Sequence, residues 1–350
     1  MELNKIYNMD CLEGLKQLKD NSIDLIVTDP PYFNIMLKDH KGESFEWDKF
    51  DSMKDYINWI KEIALECRRV LKDNGSLYMF ADDKVCAYIQ VELDKYFNLE
   101  NNITWVKPNN MTNKGWNEYR MYAPITERLL FYSQKWDIDS GKLISDKIMQ
   151  EHIAPKNNFA KYLKEEFQRA KSNGINVRKI VIDKLKMDSA MLNRWTEGFG
   201  SIIRKEHYLL LREYLNNEYL KAEYEDLKAE YEYLKAEYED LKAEYEDLRR
   251  PFNPRKNYTD VWTYNIIGGK ENVNHPTQKP VNIIKRVIDT SSKQNSIVLD
   301  LFMGSGTTAV ACKELGRNFI GFEISGEYCK IAEERLKKVN NKKLNEWFNN

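Results

Sequence analysis

The sequence predicts an α/β protein, a doubly wound sheet assembled from both chain ends with a mainly helical region inserted between its halves. Three observations predict this. Buried-strand runs alternate with helix-period segments over residues 1–135; the alternation breaks off and resumes only near Val281; and each stretch alone has too few strands to bury both faces of a sheet. A chain of 350 residues has room for one large core plus a substantial insertion. The expected division is 1–135 with 256–350 for the sheet domain and 136–255 for the insertion.

Taken in order, residues 4–10 read as a short strand, 12–18 as a helical turn or two, and 23–28 as a buried strand ending at Asp29. Pro30 and Pro31 stop that strand, because proline has no N–H to give a ladder. Residues 53–71 place Tyr56, Ile57, Ile60, Ile63, Ala64, Cys67 and Val70 at helical spacing. Asn74-Gly75 is expected to end that helix, with a strand over 76–80 and further strands over 102–106 and 127–132. After about Gln134 the chain becomes rich in Lys and Arg and helical in pattern, with two helices expected over 176–185 and 187–195, Ser189 lying near the start of the second. The returning half reads as a helix over 281–288, a strand over 296–300, a helix over 307–315, a strand over 318–323 and a last helix over 328–339.

Composition narrows the class. The first residues lack a basic region followed by an apolar run, and no stretch reaches bilayer length, so a soluble cytoplasmic protein with no membrane partner is expected. Cys11, Cys67, Cys86, Cys312 and Cys329 are odd in number and scattered, without CxxC spacing, which argues against a disulfide framework or a metal site and for buried thiols. The net charge of -1 is uneven: residues 218–248 hold 12 acids and 4 bases, whereas 136–217 hold 15 bases and 11 acids, and 249–350 hold 17 bases and 10 acids. Outside the acidic run the charge permits a surface that faces phosphate.

Two segments carry chemistry. In the run 300–308, a strand gives way to a helix through Gly304 and Gly306, whose missing Cβ atoms let backbone approach a ligand. Glu323, at the end of the next strand, can accept both hydroxyls of a ribose, so the turn suits a nucleoside cofactor. NAD is disfavoured, since Ala309 and Val310 stand where a third glycine is needed. The second segment is Asp29-Pro30-Pro31-Tyr32. An exocyclic amine of adenine or cytosine is a poor nucleophile because its lone pair is delocalised. If the Asp29 carboxylate and the Pro30 carbonyl each accept an N–H, the lone pair turns towards an incoming methyl group, while Pro31 stiffens the turn and Tyr32 stacks on the base. Attack at cytosine C5 would need a cysteine, typically after a proline, and no cysteine here follows one.

With these motifs in this order, the chain resembles the β class of DNA amino-methyltransferases, the N6-adenine and N4-cytosine enzymes in which the catalytic motif precedes the cofactor motif. The resemblance covers 1–135 and about 257–340. It implies a Rossmann-like methyltransferase sheet, S-adenosylmethionine as cofactor and double-stranded DNA as partner. By resemblance, Asp300, Phe302, Gly304, Ser305, Gly306 and Thr307 form the cofactor motif and Glu323 holds the ribose. Asp10 accepts from the cofactor adenine, although Asn8-Met9 stands where the family often has a glycine; Thr277 and Lys279, in the segment 275–280, contact the methionine end. Asp rather than Ser at position 29 is the pattern more usual for adenine N6, with N4-cytosine as the alternative. The stretch 33–48 resembles the loop that closes over a base extruded from the duplex. The insertion then corresponds to a target-recognition region, with Lys186 and Arg194 as candidate DNA contacts, and the enzyme is either solitary or paired with a separate endonuclease, in a prokaryote or phage. A non-catalytic DNA-binding or coiled-coil assembly protein is the rival of another class; it leaves residues 29–32 unexplained.

Within the insertion, 220–248 repeats in heptads, with Leu220, Leu227, Leu234, Leu241 and Leu248 at d and Tyr224, Tyr231, Tyr238 and Tyr245 at a. Lys at e and Glu at g would suit a parallel coiled-coil homodimer. Tyrosine is an awkward a residue, which favours a single long helix lying on its own domain.

Overall fold

The computed structural model describes the chain apart from residues 34–48, 109–124, 135–157, 189, 197–201, 249, 256–257, 269–270, 274, 276 and 340–350, and apart from the side chains of 241–248. In chain order the elements are β1 (Lys5–Asn8), α1 (Cys11–Leu15), β2 (Ile23–Thr28), α2 (Met53–Val70), β3 (Leu71–Ala81), α3 (Cys86–Leu93), β4 (Phe97–Val106) and β5 (Thr126–Gln134). Among the described residues the helices α4 (Asn158–Ser172), α5 (Val177–Asp183), α6 (Ala190–Thr196), α7 (Lys205–Tyr214) and α8 (Tyr224–Leu248) follow. The chain closes with β6 (Val261–Thr263), α9 (Val281–Ser291), β7 (Ile297–Asp300), α10 (Thr307–Leu315), β8 (Asn318–Glu323) and α11 (Gly326–Lys338). Two compact units result, residues 1–136 with 250–350 and residues 137–249.

The first unit is an eight-stranded sheet of order β1-β8-β7-β2-β3-β5-β4-β6. Strands from the two ends of the chain interleave: β8 pairs with β1, and β7 lies parallel to β2 with Leu25 opposite Val298 and Ile26 opposite Leu299. Only β5 runs antiparallel, between β3 and β4. The pleat sends alternate residues to opposite faces. Ile26, Leu77, Met79 and Tyr132 join a core under α1–α3, and Leu25, Val27, Tyr78, Phe80 and Phe131 join another under α9–α10. Both faces are therefore covered, and the central strands read as continuous apolar runs. All five cysteines are free and buried in this unit.

The expected break at Asn74-Gly75 falls elsewhere. Helix α2 stops at Val70, and β3 begins directly at Leu71, which is fully buried opposite Ile23. Residues 72–75 then form an irregularity, since Leu25 pairs with Ser76. Burial of Leu71 pulls the strand in early, and the turn residues are accommodated as a bulge. Strand β4 also reaches back to Phe97, because β5 offers backbone partners whatever the polarity of the side chains.

The second unit is helical, with Phe159, Leu163, Val181, Trp195, Tyr208 and Leu211 in its core. Its long helix α8 starts at Tyr224 rather than at the first heptad leucine. Leu220 has φ +53° and donates its N–H to Glu166 at 2.7 Å, while the Tyr208 hydroxyl bonds the carbonyls of Leu220 and Ala222. The a-position residues Tyr224 and Tyr231 lie in this unit's own core. Among the described residues no helix is long and apolar enough to cross a membrane.

Candidate active site

At the carboxyl ends of β2, β7 and β8 the sheet unit holds a cavity of about 320 Å³, lined by Asp10, residues 29–32, Trp59, Phe302, Gly304 and Glu323 among others. A smaller recess of about 40 Å³, which shares Asp29, Thr277 and Gly304 with the cavity, is also lined by Lys279, Asp300, Ser305 and Thr307. Such strand-end crevices are where open α/β sheets bind ligands.

The glycine turn is built by its acids. Asp300 accepts from the Phe302 N–H (3.1 Å) and the Thr308 hydroxyl (2.5 Å), tying the two ends of the turn together. Burial pushes its carboxyl up to about 7. Glu323 accepts the Gly304 N–H on one oxygen (2.7 Å) and the Ser325 N–H on the other (2.8 Å), and burial raises its pKa as well. Each oxygen keeps a lone pair for a ligand. Gly304, at φ +51°, faces the cavity, and a Cβ there would lie 3.0 Å from His275 Nε2. Gly306 differs from the expectation. At φ +82° a Cβ would lie 2.7 Å from the Ala332 Cβ, so this glycine lets α10 and α11 pack, and it lines neither the cavity nor the recess. Ser305 likewise turns to α11, its carbonyl and hydroxyl accepting from Arg335 at 2.7 and 2.9 Å.

Asp10 caps α1, accepting from Leu12 N–H (2.8 Å) and Glu13 N–H (3.2 Å) through Oδ1, and its other oxygen takes no part in the cap. Thr277 lines both cavity and recess and donates its N–H to His275 Nδ1 at 3.3 Å. Burial, with the Lys279 and Arg335 charges, lowers His275 to about 4, so its ring is neutral where it meets Tyr328 at 4.4 Å.

Lys279 departs from its expected place. Its ammonium sits 2.5 Å from Asp29 Oδ2 and 3.6 Å from Glu127 Oε2, and it lines the recess rather than the main cavity. A lysine only 7% exposed needs counter-ions, and these two carboxylates provide them; against the pull of burial they hold its pKa above the ordinary value.

Asp29 is engaged at both oxygens, since the Tyr32 hydroxyl donates to Oδ1 at 2.7 Å. Burial still raises its carboxyl above the usual range, with Lys279 opposing and Glu127 assisting. The Pro31 carbonyl accepts from the Tyr56 hydroxyl at 2.7 Å, whereas no donor among the described residues engages the Pro30 carbonyl. The apolar wall is aromatic: Trp59 packs on Phe302 at 5.6 Å and on Phe50 at 5.3 Å.

Sequence reasoning missed Glu127, Lys107, Trp59 and Phe50. Glu127 is the second residue of β5, Lys107 follows the last residue of β4, and the two are paired at 2.8 Å. Charged residues at the same end of two adjacent apolar strands were the available signal. Of the expected DNA contacts, Lys186 lies exposed at φ +57° between α5 and α6, and Arg194 lies exposed on α6. Both belong to the helical unit. Asp188 accepts the Ala190 N–H at the start of α6 (2.9 Å); Ser189, and residues 34–48 of the expected closing loop, lie outside the described residues.

Comparison with known proteins agrees with this geometry. The sequence pattern of the N6/N4 DNA methylase family matches residues 23–334. The Type II methyltransferase M1.MboII of Moraxella bovis is 27% identical over 97% of this chain and 98% of its own length. The DNA adenine methyltransferase YhdJ of Escherichia coli (strain K12) is 26% identical over 96% of this chain and 83% of its own. Among solved structures, the cytosine-N4-specific PvuII DNA methyltransferase shares the fold with a TM-score of 0.52 at 13% identity, over 98% of this chain and 89% of that one.

Proposed function

This chain belongs to the N6/N4 DNA methylase family, with S-adenosylmethionine as methyl donor and DNA as substrate, and from that premise we propose that it methylates N6 of an adenine flipped out of a specific duplex site. The observation that carries the proposal is the buried Asp29 carboxylate on the wall of the cavity that Gly304 and Glu323 also line. An acid at this position, together with a relative named as an adenine methyltransferase, supports adenine over cytosine.

The cavity suits the cofactor. Gly304 leaves room where a side chain would project, Glu323 retains lone pairs for ribose hydroxyls, Asp10 retains Oδ2 for an amine, Phe302 supplies an apolar wall, and Thr277 also lines the cavity. Bound there, S-adenosylmethionine supplies an electrophilic methyl group on its sulfonium. The chain does the rest. Asp29 and the Pro30 carbonyl accept the two amine hydrogens and free the nitrogen lone pair, and the pinned Pro31 peptide keeps that carbonyl aimed. Because burial holds the Asp29 carboxyl above its ordinary range, it is a competent acceptor for the proton that the nitrogen sheds after methylation.

Residues 136–255 act in this reading as the target-recognition region, with Lys186 and Arg194 meeting DNA. Burial of Tyr224 and Tyr231 in the helical unit's own core supports α8 as a helix of that unit rather than half of a two-stranded coil. Relatives named Type II methyltransferases support a place in a restriction-modification system, beside a separate endonuclease.

The test is to methylate unmodified duplex DNA with methyl-labelled cofactor and digest it to nucleosides. Label in N6-methyladenine is the expected result. Label in N4-methylcytosine would overturn the choice of base.

A further inference from the structure

A target amine must share an Asp29 oxygen with a donor already on it, because the Tyr32 hydroxyl donates to one at 2.7 Å and the Lys279 ammonium to the other at 2.5 Å. Each of these donors has the same second acceptor within reach. Glu127 Oε2 lies 3.3 Å from the Tyr32 hydroxyl and 3.6 Å from the Lys279 ammonium. Glu127 is also held in place: Lys107 Nζ donates to its other oxygen at 2.8 Å, and the Lys107 backbone N–H bonds the Ile125 carbonyl at 2.8 Å, across the end of the β4–β5 pair. Oε2 is thereby kept turned towards the catalytic turn.

We propose that Glu127 is a positioning residue that receives the Lys279 ammonium when the target amine arrives, releasing an Asp29 oxygen without leaving a buried charge unpaired. The proposal rests on the Asp29 reading above and goes beyond it. Two carboxylates and two ammonium groups make a neutral cluster, and a shift of Lys279 from one acid to the other conserves that neutrality. An unpaired buried ammonium would cost several kcal/mol, which a nearby alternative partner avoids. Among the described residues, Asp300, the last of β7, and neutral His275, before α9, also face the cluster; each is felt electrostatically without bonding Asp29.

The test is the variant E127Q in the full-length chain, assayed on unmodified duplex DNA with S-adenosylmethionine across pH, beside E127D and D29A. In E127Q Asp29 becomes the sole anionic partner of Lys279, so kcat should fall by up to about 100-fold, the scale of a ~1 Å misplacement, while cofactor affinity stays parental. The acid limb of kcat should also move to lower pH, because Glu127 no longer pushes the Asp29 carboxyl upward. E127D keeps the charge on a shorter arm and should restore the limb, with kcat between those of the parent and E127Q. Parental kcat and an unmoved limb in E127Q, with D29A inactive, would overturn the role of Glu127 and leave Asp29 standing. An active D29A would instead overturn the reading on which it rests. If E127Q fails to bind cofactor, E127D decides: a limb in the parental position supports the proposal, and a displaced one contradicts it.

Discussion

In the sheet unit, Asp29, Lys107, Glu127 and Lys279 are drawn inside, none more than 21% exposed, and linked to one another over 2.5–3.6 Å. In the helical unit, pairs such as Lys205 with Glu225 lie at the surface, 55% and 62% exposed, and Lys186 and Arg194 are exposed as well. Exposed pairs contribute about 0–1 kcal/mol, whereas burying charge is costly unless each group is paired. The contrast teaches where each unit works. The first fixes a few charges in one geometry, and the second keeps Lys186 and Arg194 exposed, as their proposed contact with a polyanion requires.

The sharpest way to break this contrast is within the rigid site itself. Gly306→Ala forces a side chain into left-handed backbone against Ala332, and should destabilise the protein by roughly 2–4 kcal/mol in a denaturant titration. Gly304→Ala, two residues away, carries the same left-handed strain but meets only the His275 ring, so it should cost less stability than Gly306→Ala while weakening cofactor binding at least about tenfold by calorimetry, or about 1.4 kcal/mol. Equal losses of stability in both variants would show that the two glycines do the same work.

A smaller effect is expected from the exposed bases. Lys186→Ala and Arg194→Ala should each weaken DNA binding severalfold and flatten its logarithmic salt dependence by about 0.9, with cofactor affinity untouched. DNA affinity unchanged in both at low salt would remove them from the interface.

The last is a pH effect on folding, in which opposing shifts partly cancel. Asp300 titrates at about 7 in the folded protein against 3.8 ordinarily, so the folded state holds a proton that the unfolded chain has released, and its contribution to stability falls as pH rises from 3.8 to about 7. His275 runs the other way: at about 4 against 6.5, it contributes stability present above pH 6.5 and lost as pH falls towards 4. The two slopes oppose each other. Asp300→Asn should remove the first slope and keep that of His275, so its thermal midpoint should drop more steeply on acidification than the parent's. Superimposable profiles would contradict the assignment.

How much of this was legible in the sequence follows from how local each cause is. Strand β2, helix α10 and strand β8 were readable to the residue, because apolar runs, a glycine turn and prolines fix them over a few positions. Asp29 and Glu323 were readable because each ends such a strand. Gly306 looked like its neighbour Gly304 until α11, remote in sequence, was found against it. Lys279 and Glu127 were opaque for the same reason: their partner lies on β2, 250 residues from Lys279, and only the pairing of both chain ends in one sheet brings them together.

The central claim, that the turn at Asp29 grips the amine while the glycine turn holds the methyl donor, is tested most directly by Asp29→Ala, followed in parallel by cofactor binding and by methyl transfer to duplex DNA. Cofactor affinity should stay near-parental, with transfer lost by at least about 10²–10⁴-fold. Transfer at the parental rate in that variant would contradict it.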